Sequence, residues 1–93
     1  QPAPRPLEDY TGIYENSAYG KITVLTENEK LKLIFNNIPT MLEHGNSDVF
    51  QAESRYYYGR MKFRFKTGSS GSIDGIVACF EPSVNDILFN RKD

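Results

Sequence analysis

Between Arg60 and Lys66 the chain alternates without a fault, Arg60, Lys62, Arg64 and Lys66 on one parity against Met61, Phe63 and Phe65 on the other. Only an extended backbone sends successive side chains to opposite faces, so this stretch predicts a strand with one wet face and one buried face. The same period-two pattern recurs along the chain with turn residues between the repeats. Nothing longer than one turn has helical spacing. A chain built this way is restricted to antiparallel β architecture.

Eight strands are expected. The first covers Tyr10 to Glu15, with a turn at Asn16-Ser17-Ala18, and the second covers Tyr19 to Thr26. Glu27-Asn28-Glu29 reads as a polar hairpin tip before a third strand in which Leu31, Leu33 and Phe35 alternate with Lys32, Ile34 and Asn36. Asn37-Ile38-Pro39 is expected to break the ladder, because proline lacks the donor and holds its predecessor extended. Met41 to His44, Val49 to Glu53, Arg60 to Lys66, Ser72 to Glu81 and Asp86 to Arg91 complete the set, with Asp74-Gly75 as a bulge or tight turn.

Closing such a meander removes the exposed edges that invite aggregation. The predicted fold is therefore all-β, a small eight-stranded antiparallel up-and-down barrel. Ninety-three residues suit one domain, and a chain of this size buries only roughly 60–65% of its unfolded surface. Its core must be well filled, and the expected inward set is Ile13, Ile22, Val24, Leu31, Leu33, Phe35, Leu42, Phe50, Phe63, Phe65, Ala78, Phe80, Ile87 and Phe89. Three prolines among the first six residues predict an extended linker over residues 1–8, leaving residues 9–93 as the barrel.

Chemistry is sparse. Cys79 is the one cysteine, so no internal disulfide forms, and its apolar neighbours place it as a small strand residue. No run approaches the roughly 20 apolar residues that span a bilayer. Tyr14-Glu15-Asn16 and Lys66-Thr67-Gly68 have the Tyr-x-Asn and Lys-Thr-Gly forms of serine β-lactamases and penicillin-binding proteins. That chemistry needs a nucleophilic serine with lysine one helical turn on. None of Ser17, Ser47, Ser54, Ser69, Ser70, Ser72 and Ser83 has lysine three positions later. His44, the one histidine, has Glu43 and Asp48 as possible orienting acids but no serine in a compelling arrangement. It reads as a strand-end residue fixing the turn to Asp48. No carboxylate set has zinc or calcium spacing, and no phosphate loop precedes a helix. The chain reads as non-catalytic, with no cofactor and no metal.

The net charge of −1 argues against nucleic acid or a membrane as a general partner. One local feature runs the other way. The stripe Arg60, Lys62, Arg64 and Lys66 follows Tyr56, Tyr57 and Tyr58, and charge beside stacking surface suits anionic polymers. Tyr57, Arg60, Lys62, Arg64 and Lys66 are the candidate binding surface, against the alternative that cross-strand acids simply pair with the stripe.

The pattern Tyr10-x-Gly12-x-Tyr14-x-Asn16-x-x-Tyr19-Gly20-x-Ile22-x-Val24 resembles the opening of a small C-terminal domain, catalogued as of unknown function, found behind the catalytic domain of β-lactamase-related serine hydrolases. The likeness continues through Lys30-Leu31-x-Leu33, Leu42-x-His44, Asp48-x-Phe50, Gly75-x-Val77 and Phe89-x-Arg91. The resemblance implies a lipocalin-like barrel tethered behind an exported bacterial hydrolase, periplasmic or secreted. True lipocalins open on Gly-x-Trp, where this chain has Gly12-Ile13-Tyr14. No active-site residue carries over, because the family's serine and lysine belong to the other domain.

The leading expectation is thus an accessory domain whose partner is the serine-hydrolase domain of the same parent chain, acting in interdomain packing or substrate positioning. A stand-alone barrel holding a small ligand, and anionic-polymer binding through the stripe, are the alternatives.

Overall fold

Two hairpins show how local sequence sets the fold. Asn28 and Glu29 have φ of 52° and 64°, and Asn36 and Asn37 have 54° and 64°. Two-residue loops with both φ positive match the right-handed twist of the strands they join, and asparagine tolerates that region best after glycine. The register follows directly, Glu27 opposite Lys30 and Phe35 opposite Ile38.

A computed structural model of the chain describes residues 4–52, 62–79 and 86–92. A short 3-10 turn over Leu7–Tyr10 leads into β1 (Gly12–Asn16), β2 (Gly20–Glu27), β3 (Lys30–Phe35), β4 (Ile38–Asn46), β5 (Val49–Ala52), β6 (Lys62–Thr67), β7 (Ile73–Cys79) and β8 (Ile87–Lys92). Each strand pairs antiparallel with its chain neighbour, and β1 pairs with β8, so the sheet is a closed barrel.

Pro39 does not break the ladder as expected. It lies inside β4 opposite Ile34. Counting from the two-residue turn, Phe35–Ile38 is the hydrogen-bonded pair, so Ile34–Pro39 is a non-hydrogen-bonded pair in which β3 asks nothing of the missing N–H. Two bulges adjust the wall. Gly45 is the extra residue between the pairs His44–Phe50 and Asn46–Val49, and Asp74 the extra residue between Lys66–Gly75 and Thr67–Ile73. Of the two expectations for Asp74-Gly75, the bulge is the one observed.

The core contains most of the expected set and corrects it at β1. Tyr14 is fully buried, while Ile13 faces outward. Directly opposed residues share a face, and Tyr14 stands opposite Ile22, which is inside. Tyr10, Ala52, Ile73 and Ile76 also join the core, and Phe35 and Ile87 pack against it half-buried. Phe80 lies outside the described residues. Phe65 is central, with ring centroids 4.8 Å from Tyr10, 5.6 Å from Phe50 and 6.0 Å from Tyr14. At the other end of the barrel Phe35 and Phe89 meet edge to face at 5.8 Å. Such edge-to-face pairs add to plain area burial. The described interior is lined with packed side chains.

Candidate functional site

The Tyr-x-Asn tripeptide resolves into a turn. The Asn16 Oδ1 accepts from the N–H groups of Ala18 at 2.7 Å and Tyr19 at 3.0 Å. Its Nδ2 donates to the Leu88 carbonyl on β8 at 2.9 Å. One amide thus shapes the β1–β2 hairpin and ties it across the closing seam. Gly20 follows with φ +102°, and Tyr19 is exposed at the tip.

Most of the marker residues gather at one end of the barrel. The Tyr10 hydroxyl donates to Asp48 Oδ1 at 2.7 Å, and the Tyr14 hydroxyl donates to the Tyr10 carbonyl at 2.7 Å. Arg5 reaches the same carboxylate, its Nε 3.4 Å from Asp48 Oδ1, while its Nη1 donates to the Gly71 carbonyl at 3.1 Å. The 3.4 Å contact is an ion pair and falls outside hydrogen-bond geometry, leaving that buried Nε without a hydrogen-bond partner. His44 and Phe50 sit beside this network with ring centroids 5.1 Å apart, and His44 Nε2 donates to the Ser47 carbonyl at 2.6 Å. A carbonyl only accepts, so that nitrogen carries the proton.

Arg91 closes this end. Its Nη1 donates to the carbonyls of Ile73 at 2.8 Å and Asp9 at 3.4 Å, and its Nη2 to that of Thr11. The guanidinium also lies 5.8 Å from the centroid of the Tyr14 ring. Gly12 makes this possible: its φ is +143°, and a Cβ there would sit 3.2 Å from the arginine Nε. The role of Arg91 exceeds what its place in a closing Phe89-x-Arg91 motif suggested. The one sequence signal was its company with Gly12 among the markers.

Burial and hydrogen bonding to Asp48 raise the pKa of Tyr10, and burial pushes Tyr14 up to about 12, with Arg91 pulling the other way. Both phenols are therefore held neutral, as structural donors poorly suited to nucleophilic or base chemistry. Among the described residues, no group of three or more His, Cys, Asp and Glu side chains comes together.

Outside the barrel, the structure places Lys62, Arg64 and Lys66 together on the exposed face of β6. Tyr57 and Arg60 lie outside the described residues. Lys66 pairs with Asp74 at 3.5 Å. Opposite Lys62 and Arg64 stand Gln51 and Val49 on β5, and Cys79 and Val77 on β7. The opposite wall is mostly apolar. Ile13, Thr23, Ile34 and Pro39 form one outward row across β1 to β4, and Leu25 and Met41 flank Lys32 in the next. Ile13 is 38% exposed and Leu25 44%. This row was missed because each of its members sits singly in its strand.

A closed, side-chain-filled antiparallel barrel with a polar knot at one end is the class of domain these features define. The chain belongs to the family described as a domain of unknown function, DUF3471, which it matches over residues 1–91. Among solved structures it is similar to the C-terminal domain of the penicillin binding protein Rv0907, with 27% identity and a TM-score of 0.75, covering 97% of this chain and 87% of that one. Among curated proteins none matches the chain.

Proposed function

We propose that this barrel is a non-catalytic accessory domain that packs against the serine-hydrolase domain of a longer parent protein, bacterial and exported. The observation that carries the reading is the apolar wall over β1 to β4. Ile13, Ile34, Pro39, Leu25 and Met41 contribute nothing to the barrel's own core, and contiguous exposed apolar surface marks sites of protein contact. The Lys92–Glu15 pair at 3.6 Å borders this wall, as polar rims border interfaces, and Lys32, paired with Glu27 at 3.2 Å, sits within it between Leu25 and Met41. Family membership and the likeness to a penicillin-binding protein's C-terminal domain support the reading.

The test is made on the parent protein. The sequence ahead of Gln1 should encode a domain with a Ser-x-x-Lys pair, and calorimetry of the full chain should show the two domains unfolding as a coupled unit. Ile13→Asp with Leu25→Asp should split that transition in two and leave the barrel folded. A parent without a hydrolase domain, or an unaltered transition in the double variant, overturns the reading. Hydrolysis of β-lactams or esters by the isolated chain would overturn its non-catalytic part.

A further inference from the structure

Among the described residues, Lys62 and Arg64 of the basic stripe on β6 are set apart from the other cations of the barrel. Lys32, Lys66 and Lys92 each reach a carboxylate, Arg5 reaches Asp48, and Arg91 is held by three carbonyls. Lys21 stands directly opposite Glu15. Lys62 and Arg64 differ, for their opposed residues are Gln51, Val49, Cys79 and Val77, and neither makes an ion pair with the described residues. Cross-strand neutralisation, the simplest explanation of charged residues on a solvated sheet, therefore accounts for Lys66 alone.

Three cations at alternate positions of one strand lie about 6.8 Å apart along a straight line. They form a short positive track on a chain of net charge −1. Among the described residues the flanks offer no ring for stacking. Val49, Gln51 and Val77 border the track, and single-strand nucleic-acid binders rely on aromatic platforms beside their basic groove. A track of charge without rings matches an extended polymer that carries charge without bases.

We propose that Lys62, Arg64 and Lys66 form a binding track for a linear, base-free polyanion whose repeating group is phosphate or carboxylate. Lys66 exchanges its weak, exposed pair with Asp74 for the polymer at little cost, since exposed pairs contribute little to stability. The track lies on the wall away from Ile13 and Leu25, so a polymer and a packed neighbouring domain can be held together. The proposal does not depend on that neighbour.

The experiment uses the 93-residue chain with long-chain inorganic polyphosphate and with a polyuronate as separate probes, followed by fluorescence anisotropy from 20 to 300 mM salt. Binding to either probe is expected. Its logarithm should fall with log salt at a slope of about −2, as neutralising three charges on a single-stranded polymer requires. The two arms show whether phosphate or carboxylate is preferred. Lys62→Gln with Arg64→Gln should weaken binding at least about tenfold and cut the slope to about a third, while Lys21→Gln, on the apolar side of the barrel, leaves both unchanged. All three positions are exposed, and an unchanged thermal midpoint establishes that the variants fold. Absence of binding at 20 mM salt overturns the proposal. So does a Lys62→Gln/Arg64→Gln variant that binds as the parent, a Lys21→Gln loss of equal size, or tighter binding of oligo-dT than of both probes.

Discussion

The Tyr10 hydroxyl donates to Asp48 across 38 residues of chain, joining the 3-10 turn before β1 to the β4–β5 hairpin. Tyr10 also packs on Phe50 and Phe65, with centroids 5.0 and 4.8 Å away. One side chain thus fixes the entry of the chain to both the polar knot and the ring cluster. Tyr10→Phe keeps the rings and removes the donor, so it should cost about 1.5–3 kcal/mol, as expected for a hydrogen bond to a charged group. Urea unfolding gives the number. A loss below about 0.5 kcal/mol would mean that Arg5 alone holds Asp48 in place.

Gly12 and Arg91 form a second coupled pair. Gly12→Ala imposes a side chain at φ +143° and crowds the guanidinium, and should cost about 1–3 kcal/mol. Arg91→Ala uncovers the carbonyls of Thr11, Asp9 and Ile73 and should cost a similar amount. The double variant should lose less than the sum, because removing the arginine removes the crowding while the backbone strain stays. Strict additivity in a double-mutant cycle would show that the two residues act independently.

The corrected parity of β1 has a direct test. Ile13→Ala should change stability by less than about 0.5 kcal/mol, the range of exposed positions. Tyr14→Ala should cost several kcal/mol, on the order of 3–5 as for large aromatic truncations. The reverse order would place Ile13 inside the barrel after all.

Alkaline pH should loosen this barrel. Tyr14 is pushed up to about 12 and Tyr10 is raised as well, both above the ordinary tyrosine value near 10. The folded state therefore keeps its phenolic protons longer than the unfolded one, and this contribution to stability is whole below pH 10. It declines as pH rises from there toward 12. Urea midpoints should be flat in this respect up to about pH 9.5 and fall beyond it, and Tyr14→Phe should fall less steeply. An equal alkaline slope in Tyr14→Phe would remove Tyr14 from the account.

Much of the barrel was legible because β2, β3 and β6 follow period-two patterns and Glu27-Asn28-Glu29 reads as a hairpin tip, whereas Asn36, read as a strand residue, turns the chain with Asn37. The errors share one cause. Whether a position tolerates proline, or which way a tyrosine points, depends on the partner strand. Pro39 looked like a breaker until its register with Ile34 placed its missing N–H away from β3. Gly12 gives no sign of a face, so β1 could be set only by pairing with Ile22 and Val24. Ile73 enters the core because the bulge at Asp74 shifts parity in mid-strand. Arg91 resembles any surface cation in the sequence, since its three acceptors are main-chain carbonyls contributed from Asp9, Thr11 and Ile73. The uncharged neighbours of Lys62 and Arg64 were likewise invisible without the register.

Closure of the β1–β8 seam concentrates the entropy of folding in one place. Every other strand pair joins chain neighbours, so those contacts are local in the sequence. Only the pairing of Ile13, Tyr14 and Glu15 with Lys92, Arg91 and Asn90 joins opposite ends of the meander. Three fasteners lie along it: the Asn16 amide on Leu88, the Lys92–Glu15 pair and the Arg91 bonds to Asp9 and Thr11. The barrel should therefore behave as a zip with one slider. The seam is the last region to gain hydrogen-exchange protection during refolding and the first to lose it when the molecule breathes.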